Sequence, residues 1–197
     1  MHKTNNVQGD TLSEAQLRTL ADACQAKDDD MRWALALQVD LGGRIAEVIG
    51  LALDDLHVDA LIPYVDIRPH PWRTLKNEGS ARRVPLVGLA LWAAKRIKQT
   101  AKPQQIYAFP RYINQEAVVH VCKAVSASNA LNDWIRGLQI DRTTHCLRHT
   151  MRDRLRAVGA PRDIQHAIGG WGQKDEGDRY GKGYPIKSPA ITCSIFC

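Results

Sequence analysis

The chain lacks the marks of a secreted or membrane-bound protein. Its five cysteines (Cys24, Cys122, Cys146, Cys193 and Cys197) are odd in number and form no Cys-x-x-Cys pair. That argues against a disulfide framework and for reduced thiols in a cytoplasmic protein. The first ten residues, MHKTNNVQGD, contain no apolar stretch and are not a signal peptide. No uninterrupted apolar run reaches the ~18 residues that a membrane span requires. Neither an internal repeat nor a low-complexity segment is present, which removes solenoids and disordered arrays from consideration.

What remains is a chain of ordinary globular make-up. Its 197 residues are 44% hydrophobic and 24% charged, enough for one domain with a buried core. The charge is unbalanced: 27 Lys and Arg stand against 21 Asp and Glu, for a net +6. A basic surface attracts polyanions, nucleic acid foremost.

The periodicity predicts a mainly helical domain with one small antiparallel sheet, an α+β fold. Residues 1–12 read as a loose segment, and Ser13 with Gln16 forms a capping box at the head of a first helix. KDDDMRWALALQVDLGG reads as a second helix, with acids in its first turn and glycines at its end. RIAEVIGLALDDL reads as a third. HVDALIPYVDIRPH and ARRVPL alternate like strands, joined through PWRTLKNEGS. Helical spacing returns in VGLALWAAKRIKQT, through most of YINQEAVVHVCKAVSASNALNDWIRGL, in HCLRHTMRDRLRAV, and in RDIQHAIGGW.

Two stretches carry unusual chemistry. THCLRHTMRDRLRAVGAP crowds His145, Arg148 and His149 at i, i+3 and i+4 of a helix. A zinc site, a solvated basic face and a phosphate clamp each use such residues. A zincin helix carries Glu beside its first His, whereas here that place is Cys146, and an Arg between two ligands repels a dication. A phosphate clamp needs a second cation. Arg44, at a helix start behind two glycines and one turn before Glu47, can supply it.

With these residues in view, GGRIAEVIGLALDDL, LKNEGSARRVPL, HCLRHT and IGGW…Y resemble, in order and spacing, the boxes of the tyrosine recombinase (phage integrase) family. The resemblance runs from about Ser13 to Tyr184. It implies a catalytic domain over 13–185 and a C-terminal tail over 186–197. It also implies roles: Arg44 and Arg148 hold the scissile phosphate, Glu47 supports them, Lys76 is the hairpin lysine and His145 the first histidine of His-x-x-Arg. Trp171 takes the place the family fills with His or Trp, and Tyr180 is the nucleophile, with Tyr184 as the alternative. The basic residues Arg73, Arg82 and Arg83 are expected to contact DNA backbone.

The chemistry suits those residue types. Two guanidinium forks neutralise the anionic oxygens that repel a nucleophile and stabilise the charge that grows in the transition state. A phenol attacks, His145 relays its proton and Lys76 protonates the leaving 5′ oxygen. A 3′-phosphotyrosyl bond conserves the phosphodiester energy, so no ATP, metal or other cofactor is expected. The resemblance implies a site-specific recombinase acting on double-stranded DNA in the cytoplasm, self-associating on it as a tetramer in synapsis, with no membrane partner. A non-catalytic DNA-binding regulator of the same fold and a type IB topoisomerase-like enzyme are the alternatives. Family members usually carry an N-terminal core-binding domain, and only residues 1–12 precede the first helix here. DNA binding by this chain is therefore expected to be weak and salt-sensitive.

Overall fold

The computed structural model describes residues 11–76 and 80–171. Among these, seven α-helices surround two small antiparallel sheets, the mainly helical α+β architecture read from the sequence. None of the helices is long and apolar enough to cross a membrane.

Helix α1 (Glu14–Lys27) starts at the expected capping box. Ser13 Oγ accepts from the Gln16 N–H, and the Gln16 side chain accepts from the Ser13 N–H. The chain before it is not loose throughout. Leu12 is buried, and its N–H donates to Thr150 Oγ1 at 2.8 Å, because an apolar side chain next to the cap has a core to enter.

Helix α2 (Asp30–Leu41) is the centre of the molecule. It packs against α1, against α4 (Gly88–Thr100) and against α6 (Thr144–Ala157). Ala34, Leu37 and Leu41 enter one apolar cluster while Leu35 and Val39 enter another. A helix apolar on two sides is a buried helix, and each fully buried leucine contributes about 1.5–3 kcal/mol. Its buried Asp40 also caps a neighbour. Asp40 Oδ2 accepts from the N–H groups of Leu89 (2.9 Å) and Ala90 (3.3 Å) in the first turn of α4, and Oδ1 accepts from Arg154 Nη1 at 2.9 Å. Val87, the residue in the N-cap position of α4, supplies no side-chain cap, so α2 provides it.

Helix α3 is shorter than the sequence suggested, spanning Ile45–Ile49. It stops at Gly50 because the next residues pair with another segment: the Leu53 N–H donates to Ile106 O and the Ala108 N–H to Leu51 O. A short 3-10 turn (Leu53–Asp55) leads into strand β1 (Leu56–His57), which pairs with β2 (Tyr64–Ile67), itself paired with β3 (Arg82–Pro85) in the register Tyr64↔Pro85 to Ile67↔Arg82. This is the predicted sheet. The connection leaving β2 is tied down by the fully buried Asp55. That carboxylate accepts from the Ala52 N–H, from Arg68 Nε at 2.7 Å and from His70 Nε2 at 2.6 Å. His70 stacks on Trp72, whose indole N–H donates to Gly50 O at 3.0 Å. The turn is thereby fastened to the end of α3.

The stretch expected to be mostly helical begins as a hairpin instead. Strands β4 (Ile113–Asn114) and β5 (Val121–Cys122) pair before α5 (Ala124–Gly137) starts. The valines at 118, 119 and 121 favour extended backbone over helix. Helices α6 and α7 (Arg162–Gly169) close the described chain, with Gly170 in a left-handed cap.

Candidate active site

Two arginines from different elements converge on one carboxylate. Arg44 is the N-cap of α3 and the Glu47 side chain folds back to it: the Arg44 backbone N–H donates to Glu47 Oε2 (3.1 Å), while its Nη1 donates to Glu47 Oε1 (2.7 Å). From β3, Arg82 donates through Nη2 to Glu47 Oε2 at 2.8 Å. Glu47 is 3% exposed. Burial alone would raise its carboxyl, but the Arg82 charge and hydrogen bonds from Arg82 and Arg44 overcome that and hold it below the usual carboxylate range.

The last turn of α7 supplies the next set of acceptors. A helix leaves its final carbonyls without intrahelical partners, at the negative end of its dipole. Ile168 O accepts from Arg82 Nε at 2.7 Å. Gly169 O and Gly170 O accept from Arg148 Nη1 and Nη2 at 2.5 and 3.4 Å. Gly42 O, at the end of α2, takes a further Arg148 Nη1 bond at 2.8 Å. Two glycines are required here. Gly42 has φ 58°, and a Cβ on it would lie 2.8 Å from Met151 Cγ. Gly170 also has φ 58°, and a Cβ there would meet Arg82 Nη1 at 2.6 Å.

Arg148 is therefore turned inward from α6 and is 5% exposed. Burial, together with the charges of Arg44, Arg82 and Arg152, lowers its pKa to about 10 against the opposing pull of Glu47. It stays charged at neutral pH. Trp171 follows the Gly170 cap, and its ring lies 5.0 Å from the Arg148 guanidinium carbon and 5.5 Å from that of Arg152, within cation–π range.

The sequence candidates thus separate into groups. Arg44, Glu47, Arg148 and Trp171 come together, joined by Arg82. Lys76 is exposed at the described edge of the β2–β3 connection. His145 and His149 do not share a face with Arg148 in the sense expected. Both rings are exposed, edge to face at 4.9 Å, and line an open depression of about 340 Å³ with Arg136, Asp141, Arg142 and Cys146. At ~100° per residue, Arg148 falls to one side of His145 and His149 to the other, and the core claims the Arg148 side. Tyr180 and Tyr184 lie outside the described residues.

The three hairpin arginines also part company. Arg83 is exposed, beside Asp66 at 3.5 Å and over the Tyr64 ring. Arg82 does not face outward as a backbone contact but is enclosed with Glu47. Arg73 is 4% exposed and packed on Gly50, its Nε and Nη1 unpartnered; burial lowers its pKa while Asp55 and Glu47 oppose that. Arg73 thus packs the hairpin against the end of α3. Arg152 was missed altogether, although its i+4 spacing from Arg148 was there to be read.

The Phage integrase family model matches residues 10–183 of this chain. No curated protein sequence matches it. Among solved structures, the fold is similar to that of the Tn1549 transposon integrase in complex with transposon right end DNA (TM-score 0.62, 20% identity, 86% of this chain and 61% of that one). It is also similar to the same integrase with a circular intermediate DNA (TM-score 0.60, 18% identity, 83% and 58%). The XerA recombinase is a third (TM-score 0.62, 18% identity, 83% and 55%). The chain spans less than two thirds of the length of each of these structures.

Proposed function

The chain belongs to the phage integrase family, and from that premise we propose that it is the catalytic domain of a tyrosine recombinase that cuts and rejoins double-stranded DNA at specific sites. One observation carries the reading: the arginines of the first box and of His-x-x-Arg meet in a single cluster where, among the described residues, Arg44, Arg82, Arg148 and Arg152 outnumber the carboxylate of Glu47. A site with that excess of cationic charge is built to receive an anion.

In this reading Arg44 and Arg148 grip the non-bridging oxygens of the scissile phosphate. Glu47 and the α7 carbonyls fix the two forks before DNA arrives, so little reorganisation remains for the transition state. The Tyr180 hydroxyl attacks phosphorus, forming the 3′-phosphotyrosyl bond as the 5′ oxygen leaves. The phenolic proton passes to His145, and Lys76 gives a proton to the leaving oxygen. Trp171 packs over Arg148 and keeps its guanidinium in plane with the phosphate. Attack of a 5′ hydroxyl on the adduct reverses the sequence and rejoins the strand. Assembly as a tetramer on paired sites, in the cytoplasm beside the nucleoid, completes the proposal.

The test uses a pool of nicked duplexes randomised around the nick. Cleavage releases a short 5′ fragment, so the covalent protein–DNA product cannot revert. The wild type is expected to yield a covalent band, lost in Tyr180→Phe and kept in Tyr184→Phe. DNA binding without any covalent band would establish the non-catalytic regulator instead. Relaxation of an arbitrary supercoiled plasmid would favour a topoisomerase.

A further inference from the structure

Arg152 stands one turn beyond Arg148 on α6, and no described residue gives it a counter-charge. Arg44 and Arg82 share Glu47, and Arg148 has three carbonyls. Further along the same helix Arg154 pairs with Asp40 and Arg156 with Asp153. Arg152 makes no hydrogen bond or ion pair among the described residues, and its Nε is buried without a partner. What fixes it is the Trp171 ring, 5.5 Å from its guanidinium carbon. A ring face orients a guanidinium while leaving all its N–H donors free.

Three physical features then point the same way. A buried N–H without an acceptor is costly unless an acceptor arrives. The Arg152 charge adds to those of Arg44 and Arg82 in pressing on Arg148, a repulsion that an anion relieves. The planar fork matches phosphate oxygens in pairs. One helical turn rises ~5.4 Å, on the scale that separates neighbouring phosphates of one strand. Resting on the recombinase reading, we propose that Arg152 is a further DNA-backbone ligand: it takes the phosphate next to the one that Arg44 and Arg148 grip, with Trp171 as its platform.

A phosphate contact is read by its salt dependence and needs no knowledge of the target site. Binding of the full chain to a duplex of arbitrary sequence is followed by fluorescence anisotropy over a salt series. Wild type is compared with Arg152→Gln, Arg152→Met and Arg152→Lys. Two neutral variants are used because methionine keeps the apolar contact with Trp171 should glutamine perturb the fold. The slope of log K against log salt is expected to flatten by about 0.9 in both neutral variants and to return in Arg152→Lys, with equal weakening on a second duplex of different sequence. A neutral variant that melts like the wild type and keeps its full slope overturns the assignment, as does failure of lysine to restore it. A steep wild-type slope that Arg152→Gln leaves unchanged removes Arg152 alone. A wild type that shows no salt-dependent DNA binding removes the recombinase reading with it.

Discussion

Replacing Glu47 by glutamine isolates the charge at the centre of the cluster. The native carboxylate accepts three hydrogen bonds, two of them from guanidiniums, while it and the Arg82 side chain are 4% and 6% exposed. Glutamine keeps the shape, but one acceptor oxygen becomes an N–H₂ that confronts a donor. Removing one partner of a buried ion pair costs about 3–5 kcal/mol. Here Arg82 retains Ile168 O and Ser80 O, and the Arg44 side chain is 29% exposed. The expected loss is therefore about 2–3 kcal/mol, within the range for hydrogen bonds to charged groups. For a chain of this size that lowers Tm by about 4–12 °C. The Glu47 carboxyl is held below its ordinary range, so its stabilisation is fully present above the unfolded pKa near ~4.3 and is lost as pH falls through the folded one. Urea titrations of both proteins from neutral pH into acid should show a constant gap down to about pH 4–5 that closes below it. A loss under about 0.5 kcal/mol at neutral pH, within the scatter of ordinary surface changes, would refute the argument. So would a gap that persists undiminished in acid.

Two further outcomes follow from the same geometry. Gly170→Ala should cost about 1–2 kcal/mol for a side chain at positive φ, and more because its methyl meets Arg82 Nη1 at 2.6 Å; thermal melts paired with covalent-product rates should show both falling. Asp40→Ala removes the cap of α4 and a partner of Arg154 together, with an expected loss of about 1–3 kcal/mol in urea unfolding and hydrogen exchange quickest to rise at Leu89 and Ala90.

Much of this arrangement was legible before any coordinates. Ser13 and Gln16 announce α1, the paired glycines close α2 and α7, and the alternation of YVDI with RRVPL gives the sheet. The boxes single out Arg44, Glu47, Arg148 and Trp171, and the fold unites them. What failed had local causes. The charge of Arg82 alone suggests an outward contact, yet a strand alternates its faces. Arg82 lies on the side of buried Val84, whereas Arg83 lies on the other. The β4–β5 hairpin pairs only two residues on each side, too few for alternation to show. Arg73 could not be placed by pattern, since its burial depends on Gly50, a residue far off in sequence. The acceptors of Arg148 were invisible for a deeper reason: they are peptide carbonyls, which no residue letter encodes.

That last feature changes what substitution experiments can reveal. Exchanging side chains one by one across α7 would identify no partner for Arg148, because its grip comes from where the backbone stops coiling. Insertions or deletions of a single residue before Gly169 would rotate those oxygens away and disarm the arginine while leaving every conspicuous side chain intact. In this protein, the setting of a buried arginine is written in helix length.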